Sequence, residues 1–222
     1  MKFCLASDIH GNIKSTKYLV NTSHILKCNA IILAGDLTAW GDMTSIFPIF
    51  NELNKFEGQV ISVLGNSDYE NEIDIVKDFS NVKILHGNSL TLEHIKIIGV
   101  SGIPETNEHG SFFSLPESKI LKLLKIALNE RPTEKFLLSI SHIPPLGILD
   151  FTRFGTHAGS KAIKTFIENF NPDVHVCGHI HENPGIVKFM KTTVVNPGLL
   201  HKNDPLFVLE INENINLYRA KT

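Results

Sequence analysis

The sequence predicts an α/β fold whose front half carries parallel strands joined by crossover helices. Three observations lead there. The first 80 residues repeat one pattern three times: a short apolar run, a glycine-containing polar loop and a helical stretch. That alternation is the signature of βαβ units, which place every polar loop at the carboxyl edge of the sheet. The apolar runs are continuous rather than alternating, as expected of strands buried on both faces. The tail from Ile186 onward is all short strand-like segments broken by Asn and Gly turns,.

Taken in order, Phe3 to Ala6 reads as a buried strand ending in Ser-Asp8-Ile-His10-Gly-Asn12, and Ile13 to Lys27 as a helix. Asn12 is either a helix start or a residue supporting the loop. Ala30 to Leu33 is the second strand, ending in Ala-Gly-Asp36. A helix is expected from Met43 to Phe56, with Pro48 either kinking it or lying in its first turn,. Val60 to Leu64 is the third strand, ending in Gly-Asn66-Ser67-Asp68, followed by a helix over Glu70 to Phe79.

The pattern then changes. Val82–Leu85 and Ile95–Val100 are strand-like, with Leu90–Leu92 and Glu93–His94 reading as a tight hairpin. Ser101 to Pro116 is a long loop punctuated by Gly and Pro, the kind that often serves as a lid,. Glu117 to Asn129 is a buried helix, and Phe136 to Ile140 a strand ending in Ser-His142-Ile-Pro-Pro145. A second loop, Leu146 to Gly159, leads to a helix near Ser160–Phe170. The run Val174 to Cys177 then stops at Gly178, before His179 and His181. Residues two apart on an extended backbone point to one side, so these two histidines are able to face one object. No linker, repeat or composition shift divides residues 1–222, and one domain is the economical expectation.

Composition narrows the function. With 42% hydrophobic and 20% charged residues and a net charge of −2, the chain is an ordinary globular one,. Its pI near 6.6 gives no support for bulk binding of long nucleic acid or an anionic membrane,. No apolar run approaches a membrane span, and the stretch before Asp8 is too short for a signal-peptide core,. Cys4, Cys28 and Cys177 are scattered and odd in number, so no disulfide framework is indicated and a cytoplasmic location is expected,.

Five strand ends carry candidate metal ligands: Asp8 with His10, Asp36, Asn66, His142, and His179 with His181. Each has an ordinary reading alone: Asp8 as a helix cap, Asn66 as a turn residue, the histidines as solvated loop residues. Together, two carboxylates, an amide and four histidines form a mixed N/O set suited to Mn, Fe, Zn, Ni or Co. Seven donors exceed one tetrahedral ion and suit a two-metal site with a bridging aspartate, of the kind that clamps an in-line displacement at phosphorus.

In order and context, DIH at 8–10, GD at 35–36, GN at 65–66, the histidine of SHIPP at 142 and GHIH at 178–181 resemble the calcineurin-like metallophosphoesterase superfamily. HIPPLGILD, His157-Ala-Gly-Ser160 and GHIHENPG resemble its metallophosphoesterase-domain (239AB-type) branch of small-diester phosphodiesterases. The resemblance implies a four-layer αββα sandwich of two mixed β-sheets. It also implies two divalent transition metals, manganese first among them, one held by Asp8, His10, Asp36 and His181 and the other by Asp36, Asn66, His142 and His179. Those ions, less Asp8, Asp36 and a bridging hydroxide, leave about one net positive charge to attract a phosphate diester.

Two departures stand out. Many family members place a leaving-group acid, a histidine, directly after GN; here the position is Ser67, followed by Asp68. Asp68 is then either a supporting residue or an ordinary turn residue. His157 and His109, in the two long loops, are either solvated loop residues or candidates to replace the acid or contact substrate, and Arg153 is either a solvated charge or a contact for a phosphate. GD is followed by Leu37-Thr-Ala-Trp40 and lacks the arginine with which the protein phosphatases of the family grip a monoester. The expected function is therefore hydrolysis of a small or cyclic nucleotide-type phosphodiester. The alternatives are a catalytically weak binding scaffold of the same fold, a phosphomonoesterase or a nuclease. The oligomeric state is not legible.

Overall fold

A computed structural model describes residues 1–105, 111–129 and 133–220. In chain order the elements are β1 (Lys2–Ala6), α1 (Ile13–Ile25), β2 (Ala30–Ala34), α2 (Ile46–Leu53), β3 (Gln59–Val63), α3 (Glu72–Ile75), β4 (Val82–Ile84), β5 (Asn88–Leu92) and β6 (Ile95–Val100). There follow β7 (Ile103–Pro104), β8 (Ser114–Leu115), α4 (Glu117–Leu128), β9 (Phe136–Ser141), α5 (Lys161–Phe170), β10 (Val174–Val176), β11 (Gly185–Phe189), β12 (Thr192–Asn196), β13 (Leu206–Ile211) and β14 (Ile215–Ala220).

Two six-stranded mixed sheets result, ordered β14-β13-β1-β2-β3-β4 and β11-β12-β10-β9-β6-β5. β1 to β4 are parallel, as are β6, β9, β10 and β12, while β13, β14, β11 and β5 are antiparallel to their neighbours. Strand alternation explains why the sheets stack. Phe3, Leu5, Ile32, Ile61, Val63, Ile97, Leu138, Ile140, Val176 and Leu209 form one core between the sheets. The intervening residues Cys4, Ala6, Ile31, Leu33, Val60 and Ile98 face outward into a second core with the helices. Both faces of the central strands are therefore buried, which is why their sequences read as unbroken apolar runs. This is the expected four-layer α/β sandwich.

Local differences have physical causes. Pro48 lies in the first turn of α2, where its missing N–H breaks no helical bond,. A 3-10 turn at Met43–Ser45, capped by the Asp42 side chain, precedes it in place of a longer helix. The helix expected over Glu70–Phe79 is shorter than that, a single turn α3 running directly into a 3-10 turn over Val76–Asp78, and the buried Glu72 side chain at its start accepts the N–H of Tyr69. Asn12 is the N-cap of α1, accepting the N–H groups of Lys14 and Ser15. β5 and β6 form the hairpin expected at Glu93–His94. The short pair β7 and β8 lies inside what reads as a loop, and His109 lies outside the described residues. Cys4 and Cys177 are buried and Cys28 is partly buried, all as free thiols.

His175 is a buried polar group that escaped the sequence reading. In the middle of β10, it is fully buried between the hydroxyls of Ser139 (2.8 Å) and Ser141 (3.1 Å). Burial pushes its pKa down to about 3, so the folded ring is neutral where an unfolded one would titrate near about 6.5. The unfolded chain then binds one more proton than the native one in that interval, and stability rises with pH across it. In the metal-free protein, urea denaturation is expected to show stability falling as pH drops below about 6.5. His175→Gln is expected to flatten that slope by as much as about 1.4 kcal/mol per pH unit; an unchanged slope would mean His175 does not contribute.

Candidate metal centre

β1, β2 and β3 end in the loops bearing Asp8 and His10, Asp36, and Asn66, while β9 and β10 end in those bearing His142 and His179 with His181. Three of these strand ends belong to one sheet and two to the other, so the donors meet where the carboxyl edges of both sheets converge. Backbone hydrogen bonds fasten the loops to one another. Asp8 N–H reaches Gly35 O, His10 N–H reaches Asp36 O, and Gly178 N–H reaches His142 O, all at 2.8–3.0 Å.

Four of the seven residues stand on left-handed backbone: Asp8 (φ 55°), His10 (46°), Asp36 (52°) and His179 (67°). Non-glycine residues adopt this region rarely and at an energetic cost, and such strain clusters at functional sites. Two glycines allow the close approach. A Cβ at Gly178 would collide with Ser7 Oγ and sit 2.7 Å from Asp8 Oδ2, and one at Gly35 (φ 90°) would sit 2.7 Å from His142 Nδ1.

The side chains form two overlapping groups. In the first, His181 Nε2 lies 3.0 Å from Asp8 Oδ1 and 3.3 Å from His10 Nε2, and His10 Nε2 is 3.6 Å from Asp36 Oδ2. In the second, His142 Nε2 lies 3.1 Å from Asn66 Oδ1, 3.2 Å from His179 Nδ1 and 3.4 Å from Asp36 Oδ2. Asp36 Oδ2 thus stands between the groups. Two clusters by geometry alone, Asp8–His10–His181 and Asp8–Asp36–His142, have ligand atoms within 4.8 Å of one another.

The donor chemistry fits a cation. His142 Nδ1–H donates to Ala34 O at 2.7 Å, which leaves Nε2, the nitrogen that could ligate once deprotonated, facing a carboxylate, an amide oxygen and another imidazole. Fixing one ring nitrogen to a carbonyl is how a ligating histidine is usually oriented. Adjacent donors 3.0–3.4 Å apart are also the spacing expected around an ion with bonds near about 2.1 Å. Burial would raise Asp36, but His142 and His10 outweigh it and hold its carboxyl well below the usual range. Burial would likewise raise Asp8, but the His181 ring and His142 hold it down. Burial and the neighbouring His142 push His179 down to about 4, keeping it neutral. Burial disfavours a charged His142, but Asp36 and Asp8 win and raise it to about 9, so without metal a proton takes the cation's place.

The residues around the GN loop have defined placements. Ser67 is fully buried, and both its N–H (2.8 Å) and its hydroxyl (3.0 Å) donate to the Asp36 carboxylate. Asp68 is buried behind it and accepts the N–H groups of Leu37, Thr38 and Gly65 and the hydroxyl of Thr38. It ties the GD loop to the GN loop. Thr38 Oγ1 also reaches Glu72, whose pKa is pushed up to about 8 by burial and by Asp68. Glu72 was missed in the sequence, where nothing separates it from the other acidic residues of its segment. His157 lies outside the donor cluster: its half-exposed ring donates from Nδ1 to the buried carboxylate of Asp150 at 2.7 Å and packs edge-on to Phe151. Asp150 itself organises the loop by accepting the N–H groups of Gly147 and Gly159. Arg153 and His181 line one cleft of about 960 Å³.

Residues 1–183 match the family model of the calcineurin-like phosphoesterases. The chain belongs to that family. Calcineurin-like phosphoesterases generally use a dinuclear divalent metal site, and this chain supplies candidate ligand groups for one. Among its relatives is an uncharacterized protein of Methanocaldococcus jannaschii, MJ1162, 28% identical over 204 residues, which are 89% of this chain and 88% of that one. The human metallophosphoesterase domain-containing protein 1 is 29% identical over 145 residues, 64% of this chain but 42% of that protein. The fold matches that of TT1561 of Thermus thermophilus, with a TM-score of 0.76 at 18% identity and 98% of both chains covered. It also matches an archaeal phosphodiesterase, with a TM-score of 0.58 at 16% identity over 99% of this chain and 100% of that one. Among the described residues no helix is long and apolar enough to cross a membrane.

Gly178→Ala is expected to separate Asp8 from the His179–His181 strand end. Calorimetric titration with manganese should show affinity reduced at least about tenfold in a protein of unchanged circular dichroism. Wild-type affinity in that variant would show that the close approach is not needed.

Proposed function

We propose that this calcineurin-like phosphoesterase is a metal-dependent hydrolase of small phosphodiesters. The observation that carries the reading is the convergence of seven N/O donors from five strand ends, with Asp36 Oδ2 between the two groups. Asp8, His10, Asp36 and His181 would hold one divalent ion and Asp36, Asn66, His142 and His179 the other, with manganese preferred and iron, nickel, zinc or cobalt as alternatives. When bound, such a pair supplies Lewis acidity and lowers the pKa of water to about 7.

The chain's own residues then do the following. Asp36 is held in place by Ser67, and the GD and GN loops are locked by Asp68, so the donors keep their spacing without rearrangement. His142 is kept in one tautomer by Ala34 O. Ser67 is buried with its hydroxyl proton engaged by Asp36, and a serine hydroxyl is too weak an acid at neutral pH to protonate a leaving group. We assign that role to the His157 imidazole, which buried Asp150 orients. Its ring is half exposed and its Nε2 is available. The absence of an arginine after Asp36 favours a diester, which carries one charge fewer than a monoester.

Metal-stripped protein should not hydrolyse an activated aryl phosphodiester and should regain activity with manganese. If protein loaded with two ions cleaves no phosphate ester, the enzymatic reading fails. His157→Ala should lower turnover of an ester with a poor leaving group by about 10²-fold or more, and that of an activated aryl ester far less. Equal losses on both would place the acid elsewhere.

A further inference from the structure

Beside the donor cluster lies an aromatic group that the metal chemistry does not use. Trp40, Tyr69 and Phe112 come from three separate loops. Trp40 and Phe112 meet edge-on with ring centroids 6.2 Å apart, and Tyr69 and Phe112 lie 4.9 Å apart at an angle of 50°. The cluster is fastened to the ligand loops by the backbone: Phe112 N–H donates to Asn66 O and Gly41 N–H to Ser67 O, both at 2.9 Å. Trp40 is four residues beyond Asp36, and Tyr69 is three beyond Asn66.

The rings are presented outward rather than packed away. Trp40 is 59% exposed and Phe112 39%. Trp40 and Gly41 both have positive φ (38° and 75°), and Asp42 N–H closes the turn on Ala39 O at 2.7 Å. This is a type I′ turn, which normally carries Asn, Asp or Gly at the position Trp40 fills. A bulky residue on such backbone is strained, and placing an indole there in water forgoes the gain of burying it. Gly41 has no Cβ because one would lie 2.7 Å from the Phe112 ring, so the turn and that ring are fitted to each other. A strained turn holding an indole in solvent, braced by a second ring and bonded to candidate ligand loops, is an arrangement that offers π-faces to a ligand.

We infer that Trp40 and Phe112, supported by Tyr69, form a stacking subsite for a planar ring carried by the phosphate ester, either a nucleobase or an aryl group. Stacking on such rings tolerates different bases because each has a π-face. The inference deepens the phosphoesterase reading by naming the substrate class, and it can fail independently of it.

Trp40 is the sole tryptophan of the chain, so intrinsic tryptophan fluorescence reports on this subsite alone and needs no turnover. In full-length protein, adenosine monophosphate should quench Trp40 saturably, while ribose 5-phosphate, with the same phosphate and no ring, should not. Phenyl phosphate distinguishes the two sources of the ring: quenching by adenosine monophosphate alone identifies a nucleobase subsite, and quenching by both identifies a general aryl subsite. Phe112→Ala should weaken the adenosine monophosphate response at least about fivefold, and Phe112→Tyr should restore it. In manganese-loaded enzyme, Phe112→Ala should raise KM for a nucleoside diester at least about fivefold more than for a dialkyl phosphate. Absence of saturable quenching, or equal quenching by ribose 5-phosphate, would overturn the subsite even if the enzyme proves active. Specific quenching in a protein that hydrolyses nothing would uphold the subsite and sink the phosphoesterase reading.

Discussion

Two carboxylates held with almost no exposure to water set the terms for the rest of this structure. Asp8 is 0% and Asp36 2% exposed, and a buried charge without a partner is strongly destabilising. Both carboxylates are kept charged by histidines delivered from the ends of other strands, two of them from the opposite sheet. The pairing of the sheets is therefore linked to the charge balance of the centre: β9 and β10 bring His142 and His181 to the carboxylates that β1 and β2 have buried. Removing a histidine leaves a carboxylate uncompensated, and removing a carboxylate leaves converging imidazoles.

The same constraint accounts for the strained backbone. To turn side chains from parallel strands toward one point, the chain must reverse direction within a residue or two of each strand end. Asp8, Asp36 and His179 do so in the left-handed region, and the loops are then locked by interloop hydrogen bonds and by the Asp68 carboxylate. Ser67 has a clear part in this lock. Its hydroxyl and N–H both serve the Asp36 carboxylate, so the residue at the position after GN here supports a candidate ligand. The burden of protonating a leaving group falls in our account on His157, which a different buried carboxylate orients.

Much of this was legible in the sequence, for identifiable reasons. Strands buried on both faces leave continuous apolar runs, and candidate ligands placed immediately after such runs stand out, so β1, β2, β3 and β9 and the donors after them were readable. The allocation of strands to two sheets was not, because an apolar run looks the same in either, and here it rested on the family resemblance. The helix at Glu70–Phe79 is shortened to a turn of α-helix and a 3-10 turn, and its Glu72 enters a buried network in place of a solvated helical face. Glu72 carries no local signal of burial, and His175 is a polar residue inside the apolar run of β10. The aromatic turn at Trp40 was equally hidden: the tryptophan occupies a position that turn statistics reserve for small polar residues, and only Gly41 hinted at a reversal.

The central claim is that these seven donors hold a pair of ions with Asp36 between them. Anomalous diffraction from crystals of manganese-loaded protein tests it most directly. The account predicts two peaks about 3.5–4 Å apart, one bounded by Asp8, His10, Asp36 and His181 and the other by Asp36, Asn66, His142 and His179. A single peak, or peaks away from Asp36 Oδ2, would contradict it.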